Sequence, residues 1–425
     1  MDQYVHQAKI RRIVNREWPE PSASQDPPSP PTTIGTDGCP QQNGVADVPL
    51  RPVMRNRPIF EYSSKHDARF DAANLFFETV TKKGIPTWMA YILAFDFVAK
   101  FESDLNLQRV EWRSDVYEAV KTKFVDQVSR RINEYMHGVR ANENLIPDFP
   151  SDVMNFEYSL ASAIGSRRTM EDRFVALPSL SLIEPERTKG REKDSLFAVF
   201  DGHNGPFSAM YAAAHLAESF LDEEEKNSED TLDYCVRSYY RTNSRLRQRS
   251  VHDGVKSGTT AAITFIRDNT IYMLWAGDSA IMLMKKDGVV TQSVKHVPSD
   301  ELELKRITAA NGFVSNGRVN NILNISRSMG EMMAEDLVIP DPDTKIHPIG
   351  EDDYALILCS DGITDGLNEK DIYRLLKSHA KSGADYGQAA DVLRKTAEDS
   401  SGDNKTALVV YLKPYSQFCQ VFSEE

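Results

Sequence analysis

The chain has 425 residues, of which 40% are hydrophobic and 27% charged, and a formal net charge of -13. That balance fits an ordinary globular protein of about two domains and argues against a sequence-independent nucleic-acid binder, which needs concentrated Lys and Arg. The four cysteines, Cys39, Cys235, Cys359 and Cys419, are widely separated and form no C-x-x-C pair, so neither a disulfide framework nor a zinc site is indicated.

A reducing compartment fits the cysteine usage. The first residues hold no apolar core of signal-peptide length, and no run of about 18 apolar residues occurs. The expectation is therefore a cytoplasmic or nuclear protein without a membrane partner. Residues 1–58 open with a short basic stretch and continue from Pro19 as sequence rich in Pro, Ser, Gln and Gly. Such a composition cannot bury enough apolar surface to offset ordering, and the region is expected to be disordered. Within it PPSPP reads as a plain linker or as an SH3-type ligand in extended polyproline form.

Residues 59–150 change to a period near 3.6. Phe70, Ala73, Phe77 and Val80 share one helical face, and Gly84-Ile85-Pro86 ends the run. A second helix starts near Pro86 and carries Trp88, Ile92, Phe95 and Val98 or Ala99 toward a core. A third is expected from Ser114 as N-cap through Val116, Val120, Phe124, Val128 and Ile132 to Gly138. These make a small helical domain.

Residues 151–414 alternate short β-branched or aromatic runs, SLFAVF, TTAAITFI, TIYMLWA, AIMLMKK, YALILCS and TALVVYL, with helical stretches near 206–221, 229–248, 299–311, 369–380 and 386–399. Asp268-Asn269 and Lys286-Asp287-Gly288 sit between successive runs as hairpin turns. The fold class is therefore α+β, a central antiparallel β-sandwich flanked by helices and preceded by the helical domain. Residues 415–425 are left as a short tail.

Carboxylates stand where apolar runs end: Glu171 and Asp172 in RRTMEDR, Asp201 in FDGHNG, Asp278 in AGDSA, Asp361 and Asp365 in SDGITD, and Asp403 in GDNKT. A carboxylate at a strand end beside glycine is a place where a rigid scaffold brings distant ligands together. An all-oxygen set suits a hard cation such as Mg2+ or Mn2+. Taken singly, each Asp-Gly also reads as an ordinary turn. Neither a dinucleotide fingerprint nor a P-loop is present, and no cysteine opens a phosphate-cradling loop ending in Arg.

The words RRTMEDR, FAVFDGHNG, SGTTA, AGDSA, GRVNNILNISRSMG, LCSDGITD and GDNKT, in this order over residues 155 to 414, resemble the metal-dependent protein phosphatases of type 2C, the PPM family. YAAAHLAESFLD, NEKDIYRLL and the preceding helices are similar to the subgroup holding the nematode feminization phosphatase and the partner-of-PIX phosphatases. The resemblance implies hydrolysis of phosphoserine and phosphothreonine in proteins by a water shared between two cations, Mg2+ or Mn2+. It implies that Asp201 bridges the ions, that the Gly202 carbonyl binds one, and that Glu171, Asp361 and Asp403 complete the pair. Asp278 and Asp365, with Asp361, match a weaker third site.

The resemblance further implies that Arg167 binds phosphate through its planar fork, with Arg168 as a competing neighbour at the surface. His203 matches the general acid for the departing oxygen, while Asp172 and Asn404 orient ligands. Ala280, Asn321 and Glu331 depart from the family's usual residues, and the segment from Glu331 to Pro340 is short, which bears on substrate choice. The rival reading is a pseudophosphatase scaffold; a small-molecule phosphatase is a third. The N-terminal helices are expected either to recruit protein partners or merely to pack on the catalytic domain. If they recruit, removing residues 1–150 leaves hydrolysis nearly intact.

Overall fold

The computed structural model describes residues 3–19, 63–120, 123–148, 150–151, 154–224, 230–334 and 336–423. Apart from Pro19, the stretch expected to be disordered, with its PPSPP word, lies outside these residues. The basic start does not belong with it. Residues Gln3–Glu17 form helix α1, and Ile10, Val14 and Trp18 are buried. Their spacing of four makes one apolar stripe, hidden in the sequence by the basic residues between them. The Trp18 indole donates to Asn133 Oδ1 at 3.3 Å, and Lys83 Nζ lies 3.9 Å from its ring centroid.

Helices α2 (Ala68–Lys82) and α3 (Thr87–Lys100) match the periodicity. In α3 the buried face is rotated from the expected one: Leu93, Ala94 and Phe97 are buried with Trp88 and Val98, whereas Ile92 and Phe95 are half-buried and Ala99 is exposed. Helix α4 (Phe124–Ala141) starts ten residues after Ser114 and runs past Gly138. The segment expected to open it is not helical: it turns at 114–115 and then pairs with the chain just before α2. Ala119 bridges Ser64, and the Val120 N–H donates to Ser63 O at 2.6 Å. Val116 and Val120 have helical spacing, but pairing with the start of α2 satisfies this backbone first.

The remaining elements are β1 (Tyr158–Ala163), β2 (Arg173–Leu177), β3 (Ser195–Phe200), β4 (Gly202–His203), α5 (Phe207–Glu224), α6 (Thr231–Asp253), β5 (Gly258–Thr259), β6 (Ala261–Arg267), β7 (Thr270–Ala276), β8 (Ala280–Lys285), β9 (Gly288–Thr291), α7 (Glu301–Ala309), β10 (Val314–Ser315), β11 (Arg318–Val319), β12 (Asp343–Pro348), β13 (Ala355–Cys359), α8 (Asp361–Thr364), α9 (Glu369–Lys381), α10 (Ala389–Thr396), β14 (Lys405–Tyr411) and α11 (Tyr415–Ser423). Two antiparallel five-stranded sheets result, ordered β1-β14-β13-β8-β9 and β12-β7-β6-β3-β2. Asp268 and Asn269 both take positive φ, 49° and 58°. Such a two-residue turn matches the strand twist and fixes the β6–β7 register.

Period-two alternation explains why the strands read as continuous apolar runs. Phe197 and Val199 of β3 join Met273, Leu356, Leu358 and Leu408 between the sheets. Leu196, Ala198 and Phe200 point the other way, into a core built with α5, α6 and the N-terminal helices. Behind the first sheet, Met282, Ile357 and Val409 pack under α9, α10 and α11. Residues 415–423 are thus no tail, because Phe418 and Phe422, one turn apart in α11, are buried there.

An ionic layer crosses the interface of α2 with α5 and α6. Both nitrogens of His215 meet carboxylates at 2.9 Å, Asp71 on one side and Glu218 on the other. Arg245 donates to Asp67 at 3.1 Å and to Glu218 at 2.6 Å, and Arg249 to Asp67 at 3.1 Å. All six side chains are buried.

Candidate metal centre and active site

Antiparallel pairing brings the acidic loops to one end of the sandwich. Arg173 at the start of β2 lies opposite Phe200 at the end of β3, so Asp172 and Asp201 flank the same pair. Cys359 at the end of β13 faces both Ala407 and Ala280. That register sets Asp361 beside the loops that carry Asp403 and Asp278. Each carboxylate follows or precedes a buried strand, which is why its backbone is rigid.

Burial and mutual repulsion act on these carboxyls together. Asp201 is pushed well above the ordinary carboxylate range, first by burial and then by Asp172, Asp361, Asp278 and Asp403. Burial, then Asp278, Asp365 and Asp403, push Asp361 up to about 7. Asp172 is pushed up to about 6, chiefly by burial. Asp278 is raised by burial, against the opposing pull of the Lys295 ammonium.

Local hydrogen bonds hold the frame. Asn404 accepts the Glu171 N–H at 2.6 Å and donates to Ile164 O at 2.8 Å and Thr169 O at 3.1 Å, which pins the RRTMEDR loop to GDNKT. The Glu171 carboxylate accepts from Thr169 Oγ1 at 2.7 Å and from the Gly205 N–H at 3.0 Å. A Cβ on Gly202 would sit 2.7 Å from Glu171 O, so only glycine lets these two loops touch. Thr260 Oγ1 accepts the Asp201 N–H at 3.0 Å.

The oxygen atoms fit a hard divalent cation. Asp361 Oδ1 and Asp172 Oδ1 are buried without a hydrogen-bond partner, an arrangement that is costly unless a cation meets them. Among the described residues, no three Asp, Glu, His or Cys side chains form a ready-made cage. Like charges without a counter-ion stay apart, and Mg2+ keeps several waters and takes one or two carboxylates, so a closed cage is not required.

Arg167 does not stand free. Its Nη2 donates to Asp403 Oδ2 at 2.6 Å, with the guanidinium mostly exposed. Arg168 is exposed, as a surface neighbour should be. His203 Nε2 meets Glu331 Oε2 at 2.7 Å. Burial works to raise the Glu331 carboxyl, but His203 and two backbone N–H groups hold it below the ordinary glutamate range. Asp365 is exposed at the end of α8, facing Asp361 and Asp278. Lys295 Nζ reaches Thr364 Oγ1 at 3.5 Å beside them.

A family model described as Protein phosphatase 2C matches residues 156–405. The chain belongs to the protein phosphatase 2C family. Protein phosphatase fem-2 of Caenorhabditis elegans is 30% identical over 90% of this chain and 88% of its own length. Protein phosphatase 1E of Mus musculus is 29% identical over 88% of this chain. The chain spans 50% of that relative's length. A solved structure of a C. elegans sex determining protein superposes with a TM-score of 0.76 at 28% identity, over 84% of this chain and 91% of that one.

The family is metal-dependent, in keeping with the oxygen-only centre. Two features of the site exceed the sequence reading. Asp172, an orienting residue in that reading, flanks the same strand pair as Asp201 and is one of the charges that raise it. Glu331, noted only as a departure, is bonded to His203; the signal was its place after the SRSMG word.

Proposed function

We propose that this chain is a protein serine/threonine phosphatase that works with two divalent cations, Mg2+ or Mn2+, at Glu171, Asp201, the Gly202 carbonyl, Asp361 and Asp403. One observation carries the reading: Asp172, Asp201, Asp278, Asp361 and Asp403, from five separate loops, converge at one end of the sandwich, where burial and their neighbours' charges raise Asp201 and Asp361. When bound, the cations supply positive charge against the phosphoryl oxygens and acidify a water. Within the protein, Asp201 and Asp361 place carboxyl oxygens where those ions belong and would be ionised with the ions bound, and Asn404 keeps Glu171 in line.

Arg167 orients the phosphoryl group by turning part of its fork from Asp403 to phosphate oxygens. A water oxygen bonds phosphorus as the bond to the serine or threonine oxygen breaks. His203 gives the departing oxygen its proton. No covalent enzyme intermediate is involved. Asp278 and Asp365 form the weaker third site, and the Lys295 ammonium beside them offsets part of its charge.

Phosphorylated proteins are the proposed substrates, and partner proteins on the N-terminal helices the proposed route to them. In support, the likeness to the sex determining protein extends over 84% of the chain, well beyond the family match. The deciding experiment compares wild type with Asp201→Asn on a phosphothreonine peptide, with Mn2+ and after chelation. Hydrolysis by wild type with Mn2+, lost on chelation and reduced by about 10²-fold or more in the variant, is the expected result. Equal rates in the two proteins would defeat the mechanism. An inactive wild type favours the pseudophosphatase scaffold.

A further inference from the structure

Three short segments from distant parts of the chain lie side by side at His203. In the β4–β5 pair His203 is opposite Gly258. The next residue, Thr259, exchanges two backbone hydrogen bonds with Met329, at 3.0 and 2.8 Å. Two residues beyond Met329 stands Glu331. Its own backbone is anchored in turn, because the Gly330 N–H donates to Asn243 Oδ1 of α6 at 2.9 Å.

The Glu331 side chain is only 1% exposed. Its Oε1 accepts the N–H groups of Met333 at 2.5 Å and Ala334 at 3.3 Å. That leaves Oε2 for His203 Nε2, at 2.7 Å. A carboxylate tied at one oxygen to backbone and at the other to an imidazole fixes the ring's tilt and its choice of nitrogen. The pair fits only because residue 258 has no side chain. A Cβ there would lie 2.4 Å from His203 Nε2 and 2.7 Å from Glu331 Oε2. Glu331 is held by its two backbone bonds, so a side chain at 258 would push the imidazole away and break the pair.

We propose that Glu331 and Gly258 are positioning residues for His203: the carboxylate holds the ring by Nε2 in a notch that glycine keeps open, so that Nδ1 faces the departing oxygen. This rests on the reading of His203 as proton donor. Nδ1 passes its proton to the serine or threonine oxygen as the phosphorus–oxygen bond breaks. The ring becomes neutral, keeps its Nε2–H on Glu331, and regains the Nδ1 proton from water.

The test measures kcat and KM, with Mn2+, on a phosphothreonine peptide and on p-nitrophenyl phosphate, whose leaving oxygen needs little protonation. Wild type, Glu331→Gln, Gly258→Ala, His203→Ala and the Glu331→Gln/His203→Ala pair are compared, with melting temperatures for each. Glu331→Gln should lower kcat on the peptide about 10- to 100-fold with KM little changed. On p-nitrophenyl phosphate its effect should stay within about twofold, and Gly258→Ala, which leaves both groups chemically intact, should behave alike. In the His203→Ala background Glu331→Gln should add no more than about twofold.

The same factor with and without His203 overturns the inference. So do equal losses for Glu331→Gln on both substrates while His203→Ala discriminates between them. Equal losses for His203→Ala itself overturn the proton-donor reading instead, and the double variant then decides the pairing alone. If Glu331→Gln lowers the melting temperature too far to assay, Gly258→Ala carries the comparison.

Discussion

Asp361 shows how one buried carboxyl links stability to the candidate metal centre. Its folded pKa, pushed up to about 7, exceeds the ordinary value of 3.8. In cation-free protein the folded state therefore keeps a proton that the unfolded chain gives up, and stability falls as pH rises from about 4 to about 7. A cation binds the ionised form, so it restores more at pH 8 than at pH 5.5. Thermal melting should follow this course in chelator and in Mn2+. Asp361→Asn should raise the chelator melting temperature at pH 8 by roughly 2–4 °C and abolish the response to Mn2+. A variant that melts lower in chelator, or still responds fully, contradicts the account. In the sequence Asp201, Asp361 and Asp365 each also read as an ordinary Asp-Gly turn; the order of all these carboxylates as a set of words carried the site. It could not rank Asp172, because a residue just before a strand has no assigned face until the register is known. Lys295 gave no signal, and Glu331 only its place after the SRSMG word, because each acts through a partner far off in the chain.

Among the elements, the α2, α5 and α6 interface makes the sharpest claim. His215 is buried between Asp71 and Glu218, with Asp67, Tyr211, Arg245 and Arg249 around it. Burial opposes its protonation, but the two hydrogen-bonded carboxylates win and raise it to about 9 from 6.5. Because the folded pKa is the higher one, the stabilisation is fully present below pH 6.5 and is lost as pH rises through 9. It amounts to about 3 kcal/mol. His215→Asn should lower the unfolding free energy by about 3–5 kcal/mol near pH 6, since it leaves the layer one positive charge short, with Arg245 and Arg249 alone facing Asp67, Asp71 and Glu218. The gap to wild type should narrow above pH 9 in denaturant titrations; a gap constant with pH would argue that packing, not charge, is lost. The helices themselves were legible from their apolar period. Their charged contacts were not, because Asp67 and Asp71 sit on the buried side of α2, where the pattern expects only apolar residues. The misplaced start of α4 has a related cause: Val116 and Val120 keep helical spacing in a segment whose backbone pairs with Ser63 and Ser64, far earlier in the chain.

At the scale of the whole molecule, the N-terminal helices and the second sheet's outer layer form one apolar core. It runs from Ile10, Phe76 and Phe97 to Val175, Phe200, Leu216 and Phe265 without a break. Phe77 stands edge-on to Phe174 of β2 at 6.2 Å, and Arg173 donates to Glu78 at 2.9 Å across the same seam. Removing residues 1–150 therefore strips the cover from β2 and α5. It also takes away Asp67 and Asp71, leaving His215, Arg245 and Arg249 with Glu218 as the remaining partner of that layer. Burying a large apolar side chain contributes about 1.5–3 kcal/mol, so losing several exceeds the 5–15 kcal/mol by which most domains are stable. The α5 helix begins just after the Asp201 and His203 loop, so its loosening reaches the site. The expectation that truncation leaves hydrolysis nearly intact is thus replaced by its opposite. The chain lacking residues 1–150 should be recovered mainly as aggregate, or as soluble protein with a melting temperature lowered by at least about 10 °C and little peptide hydrolysis. A soluble truncation with the melting temperature and kcat of the full chain would show that the helices are separable after all. Partner recruitment is better examined in the full chain, with charge reversals at exposed positions such as Arg130 and Glu134 on α4, which should leave both melting and hydrolysis unchanged while altering capture.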